Sequence, residues 1–162
     1  MNRRAAFMLT SMTLFGLAVA ALPQFGFAQS SSPLIGTWKL NLDKSKYSPG
    51  PPPRSATVNF AQDGQNIRGT NQTIDAQGNS TTVVSFVEDG KPYPVTGNPN
   101  FDARASTRVD AYTMITSFTK AGRLVRIDTD VASTDRKTLT ITTTGTDANG
   151  RPFNNVIVAD KQ

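Results

Sequence analysis

Two carboxylates two residues apart, Asp128 and Asp130, offer the chain's clearest chance of acid–base or metal chemistry. On an extended strand they share one face and lie about 7 Å apart. That spacing is open to a carboxylate pair or a calcium site. The commoner arrangement is two outward carboxylates paired with neighbouring arginines on a solvated sheet face, where each pair contributes little. The outward arrangement is the expectation here. Asp147-Ala148-Asn149-Gly150 resembles the start of a calcium loop, but no bidentate Glu follows at the required offset, so a turn is expected. The chain has no His and no Cys. Their absence removes imidazole general bases and Ser–His–Asp triads. It also removes an imidazole haem ligand, structural zinc, thiolate nucleophiles, disulfides and a lipid-bearing Cys. No catalytic residue, metal site or cofactor is expected, and the chain is not expected to be an enzyme.

The elements that would position these groups are strands. Past residue 33 no stretch keeps a 3.6-residue apolar period, and about ten short runs with period 2 succeed one another between turn signals. The first covers residues 34–41, with Trp38, Leu40 and Leu42 on one face. Residues 43–54 hold Pro49, Pro51, Pro52 and Pro53 with Gly50. Proline cannot donate to a ladder, so this is read as an extended crossing segment. Alternation then returns in Ala56, Val58 and Phe60, in residues 66–74, and in Thr82, Val84 and Phe86. Asp89-Gly90 signals a two-residue hairpin. Pro92 and Pro94 mark a weakly paired strand over residues 91–95. Tyr112, Met114, Thr116 and Phe118 share a face. In residues 123–132, Val125, Ile127 and Val131 are read as inward, and Arg126, Asp128 and Asp130 as outward. Leu139 and Ile141 follow inward, and residues 153–159 make the last strand. Links this short make neighbours antiparallel. Closing so long a meander removes its exposed edges, so an all-β, antiparallel meander closed into an 8–10-stranded barrel is expected over a sandwich.

Gly36-x-Trp38, opening the first strand of a meander, resembles the lipocalin and fatty-acid-binding-protein superfamily, the calycins. The resemblance implies that Trp38 plugs the closed end of the barrel. The proline run stands where fatty-acid-binding proteins carry a helix pair, and the chain ends in a strand where lipocalins carry a helix. Gly36-Thr37-Trp38-Lys39-Leu40-Asn41 with Lys44-Ser45-Lys46-Tyr47-Ser48-Pro49-Gly50, and Asp89-Gly90-Lys91 with Tyr93-Pro94-Val95, is similar to a group of small exported bacterial proteins of unknown function. That likeness speaks to fold and compartment and carries no site residue.

A lipocalin-like barrel implies an interior. Trp38, Phe60, Phe86, Tyr112, Met114, Phe118 and Arg108 are the ligand-cavity candidates, with Arg68 and Arg104 as further cations that could reach in. The inward set also holds many Thr, Ser, Ala and Gly, which leave space. The expected role is to bind a small apolar or amphipathic ligand. The alternative is a structural or protein-interaction module of the cell envelope with a filled core. Residues 1–28 read as an export signal, with a basic Asn2-Arg3-Arg4, an apolar stretch from Ala5 to about Leu22, and Gly26-Phe27-Ala28 before cleavage. An uncleaved anchor is the alternative. Residues 29–162 would then form one periplasmic or secreted domain with no further membrane span. A net charge of +5, reduced by two on loss of Arg3 and Arg4, is too small and too scattered for nucleic acid. A monomer is expected.

Overall fold

A computed structural model of the protein describes residues 32–86, 88–96, 98–147 and 149–162, without the side chains of residues 84–86. The expected leader, residues 1–28, lies outside the described residues. Among these there is no helix. Ten strands follow in order: β1 (Gly36–Lys46), β2 (Ser55–Asp63), β3 (Asn66–Ile74), β4 (Ser80–Phe86), β5 (Tyr93–Pro94), β6 (Ala103–Arg108), β7 (Thr113–Lys120), β8 (Arg123–Ala132), β9 (Thr138–Thr146) and β10 (Pro152–Lys161). Their Thr- and Val-rich composition suits a pleated, half-buried surface.

All ten strands belong to one antiparallel sheet of order β4-β3-β2-β1-β10-β9-β8-β7-β6-β5. Each strand pairs with its chain neighbours except β4 with β5, and the first strand joins the last through Trp38↔Lys161 and Leu40↔Ala159. The meander therefore curls into a barrel-like ring whose two edges are β4 and β5. The curl is evident in the packing. Phe60 of β2 and Ile67 of β3 share one buried cluster with Met114 of β7, Ala132 of β8 and Leu139 of β9. Strands this far apart in a flat sheet could not touch.

Asp89-Gly90 does not make the expected hairpin. The Asp89 carboxylate accepts the Lys91 N–H at 3.0 Å and the Tyr93 hydroxyl at 2.9 Å. Asp89 bridges to Thr107 of β6 instead. With Pro92 and Pro94 unable to donate, β5 shrinks to two residues.

The Trp38 end is packed solid. Trp38 and Leu34 are wholly buried, and the indole N–H donates to the Leu34 carbonyl at 2.8 Å. Lys161 places its ammonium 4.9 Å from the Trp38 ring centroid and donates to the Ile35 carbonyl at 2.8 Å. Gly36 makes this possible. Its φ of 141° disfavours other residues, and a Cβ there would meet Lys161 Cε at 2.5 Å.

β1 runs past the expected residue 41, with an irregular register between Asn41 and Lys46. There the Ser45 hydroxyl accepts the Val158 N–H at 2.9 Å and donates to the Asn41 carbonyl at 2.6 Å. That break turns Leu42 out to solvent, against its expected place beside Trp38 and Leu40. The proline-rich link is tied back to β10, where Asn154 N–H donates to the Ser48 carbonyl at 2.8 Å.

Candidate functional site

The register of β6 to β10 lays the inner face out as rows. Ser106, Thr116, Asp128, Thr143 and Asn155 are opposite one another in successive strands. Arg104, Phe118, Arg126, Gly145 and Phe153 form the next row on one side. Met114, Asp130, Ile141 and Ile157 form the row on the other. Four ionisable side chains therefore sit together on the inside, Arg104 from β6 and Arg126, Asp128 and Asp130 from β8.

This corrects the sequence expectation for β8. Asp128 and Asp130 are buried, as is Ala132, whereas Val131 is 40 % and Leu124 57 % exposed. The neighbours decide the face. β7 presents Met114, Thr116 and Phe118 inward, and β9 presents Leu139 and Ile141. Both strands pair those residues with the even-numbered members of β8. Turning Ile127 and Val131 inward would need a one-residue slip that breaks the match on both sides. The register also shifts between Phe118 and Thr119, so Val125 is extra and packs with Val95, Phe101 and Phe118 in a second buried cluster.

Arg126 and Asp128 are closed on each other. Arg126 Nε–H donates to Asp128 Oδ1 at 2.6 Å, and a second guanidinium nitrogen donates to Oδ2. Such a two-point pair is the strong form of the contact. Both arginines also cover Phe118, with guanidinium carbons 4.7 Å (Arg126) and 5.3 Å (Arg104) from its centroid. Arg104 Nη2 donates to the Ser106 hydroxyl at 2.9 Å and to Thr116 at 3.4 Å. Those two hydroxyls are 2.9 Å apart.

Four buried polar atoms in this neighbourhood have no hydrogen-bond partner: Arg104 Nε, Asp130 Oδ1, Thr143 Oγ1 and the Tyr47 hydroxyl. Tyr47 enters from the link after β1 and lies close enough to Arg126 for their charges to interact. Unpartnered buried polar groups are rare and cost about 1–3 kcal/mol each.

The electrostatics follow from burial. Asp130 is pushed up to about 7, first by loss of hydration and then by the Asp128 charge, with Arg104 and Arg126 opposing. Burial also lowers Arg104 to about 10 against the pull of Asp130 and Asp128. Burial pulls Arg126 down, but the charge and hydrogen bonds of Asp128, helped by Asp130 and Tyr47, hold it above its ordinary value. Loss of hydration raises the Tyr47 phenol, opposed by Arg126.

The expected cavity residues divide. Trp38, Phe60 and Met114 lie in the larger buried cluster, and Tyr112 packs against it. Phe118 lies in the second cluster, 4.7 Å from the Phe101 ring. Arg108 is opposite Met114 and pairs with Glu88 of the β4–β5 link. The Phe86 side chain lies outside the described residues; its backbone is opposite Arg68 in the β3–β4 ladder. Of the further arginines, Arg104 is inside, and exposed Arg68 pairs with Asp63 at 3.2 Å. Asp147 is spent on its own turn, accepting the Asn149 and Arg151 N–H groups at 2.8 and 2.9 Å. Sequence reasoning missed Thr143 and the inward pair of aspartates. Matching the parity of β8 to the strong alternation of β7 would have found the aspartates.

No protein-family profile matches the sequence, and no curated protein matches it. Among solved structures the fold is similar to that of zebrafish ileal bile acid-binding protein complexed with cholic acid. The identity is 14 % and the TM-score 0.49, over 81 % of this chain and 100 % of that one.

Proposed function

We propose that the protein binds a small amphipathic ligand on the inner face of its curled sheet, as an exported monomer of the periplasm or the medium, and that it is not an enzyme. One observation carries the reading. A buried cluster of Arg104, Arg126, Asp128 and Asp130 with unpartnered polar atoms lies beside apolar walls built from Phe118, Met114 and Ile141. Binding sites combine mostly apolar lining with a few polar groups that fix orientation. The accessible edge of the cluster is arginine, since Arg126 keeps 29 % of its side chain exposed.

A second reading has its own support. Trp38, Leu34 and Leu139 are wholly buried, so that half of the interior is filled by the protein itself. A filled interior throughout would fit an interaction module of the cell envelope better. Native mass spectrometry of protein recovered from a bacterial periplasm, after expression with its own leader, separates the two. A retained mass of a few hundred daltons, lost on denaturation, supports ligand binding. A bare chain that also fails to take up a fluorescent lipid probe supports the filled module.

A further inference from the structure

We propose that the outer face of β6 to β10 pairs the protein weakly with a second copy of itself, face to face about a two-fold axis. This goes beyond the ligand reading and leaves the inner face untouched. The dilute protein remains the monomer described above.

The register lays this outer face out in three rows. Thr113, Val131, Thr140 and Val158 make the first. Thr107, Ile115, Thr129, Thr142 and Val156 make the second, and Ala105, Ser117, Ile127, Thr144 and Asn154 the third. None of these side chains is charged. The same strands turn Arg104, Arg126, Asp128 and Asp130 inward, so β8 carries its charge inside and Ile127 and Val131 outside. Elsewhere the outside of the sheet carries charge, with Lys39 exposed on β1 and Arg68 exposed on β3. Antiparallel sheets commonly set polar residues on the face that meets water. A patch cleared of charge is instead the compositional mark of an interface centre. Lys46, opposite Val156, stands at its rim.

Three features fit a second copy. Threonine hydroxyls both donate and accept, so rows of Thr on one copy can complete the same rows on another. Knob and hole lie on one face, as a two-fold contact requires. Ile115, Val131 and Val156 stand out as exposed apolar side chains. An open dent of about 160 Å³ lies between β8 and β9, lined by Leu124, Ile127, Thr144 and Thr146 among others. With no charge on either side, two copies meet no repulsion at the centre, and a nucleic acid, an anionic lipid or an acidic peptide finds nothing to read there. Size sets the strength. Rows about 7 Å apart on strands about 4.8 Å apart give about 400 Å² per copy once the curl lifts the outermost strands away, or about 800 Å² for the pair. Standard stable complexes bury about 1,200–2,000 Å². The pair is therefore weak, with a dissociation constant of about 100 µM.

The test is sedimentation velocity of the full chain, without its leader, from about 5 µM to about 1 mM, in about 0.1 M and about 1 M NaCl. The sedimentation coefficient is expected to climb from that of a monomer to that of a dimer across this range. It is expected to do so equally at both salt concentrations, because no ion pair holds the faces. Thr142 is exposed and lies within the middle row. Thr142→Lys is expected to weaken pairing about tenfold or more by setting two ammonium groups against each other, with the melting temperature within a few degrees of the unaltered protein. Thr142→Glu is expected to do the same, and an equimolar mixture of the two variants to pair at least as tightly as the unaltered protein. Lys39→Glu, on the charged side of the sheet, is expected to leave pairing unchanged. If neither Thr142 variant folds, Ile115→Lys carries the same test. A chain still monomeric at the highest concentration, a dimer lost in high salt, or a dimer that survives both Thr142 variants overturns the proposal. So does a monomer that cosediments with phosphatidylcholine vesicles, which gives the face to lipid. None of these outcomes touches ligand binding on the inner face.

Discussion

Asp130 makes stability depend on pH in the direction opposite to most carboxylates. Its pKa rises from 3.8 in the unfolded chain to about 7 in the fold. Between those values the folded protein holds a proton that the unfolded chain has lost. Stability contributed through this group is therefore lowest above pH 7 and grows as the pH falls. At about 1.4 kcal/mol per pKa unit, the gain between pH 8 and pH 5 is about 3 kcal/mol. Asp75, Asp89, Asp135, Asp147 and Asp160, half-buried or exposed, act the other way. Hydrogen bonds hold each of them below its ordinary value. Their stabilising share is lost only as the pH falls below about 4, through the folded-state values. The window from pH 8 to pH 5 thus isolates the buried group.

The assay is differential scanning calorimetry across that window, on the unaltered protein and on Asp130→Asn. The unaltered protein is expected to melt about 10 °C higher at pH 5 than at pH 8. Asp130→Asn keeps the shape and cannot titrate, so its melting temperature is expected to change by no more than a few degrees. A melting temperature that falls between pH 8 and pH 5, or the same rise in the variant, would refute the assignment of a buried, proton-linked Asp130.

Two further substitutions probe the frame around the cluster. Gly145 lies where β9 crosses the irregularity of β8, and a Cβ there would meet the Val125 carbonyl oxygen at 2.2 Å and Phe153 Cζ at 2.8 Å. Gly145→Ala is therefore expected to cost about 2–3 kcal/mol in urea denaturation; an unchanged midpoint would mean that β8 and β9 are not so close. Arg108→Ala strands Glu88, whose side chain is 6 % exposed. The expected loss is about 3 kcal/mol, at the low end because Arg108 itself is a third exposed. Adding Glu88→Gln to that variant is expected to recover part of the loss, and a further drop would argue against the pair.

The strands were legible because their signals are local. Residues 66–74 and 123–132 coincide with β3 and β8, since alternation and turn residues bound each run without reference to the rest of the chain. The Tyr112, Met114, Thr116, Phe118 face was legible for the same reason. Two kinds of feature were not. The β4–β5 link depends on where Asp89 spends its carboxylate, and a dipeptide signal cannot carry that. The face of β8 depends on register with two other strands, and its own apolar residues point to the wrong answer. Arg126, Asp128 and Asp130 looked like surface because charged residues nearly always are. They are inside because β8 must match the inward faces of β7 and β9, and there, with Arg104 of β6, two guanidinium groups and two carboxylates nearly cancel.

That cancellation is incomplete, and the shortfall is what argues for a role beyond folding. A buried ion pair such as Arg126–Asp128 is about neutral against an apolar pair of the same size. Arg104 and Asp130 do worse, because each leaves an atom unpartnered. If stability alone had shaped the inner face, the rows through Asp128 and Asp130 would read like the row of Ala132, Leu139, Ala159 and Leu40, which is apolar. The same sheet demonstrates that apolar solution at one end and departs from it at the other. A ligand held on that face would stabilise the fold in proportion to its occupancy.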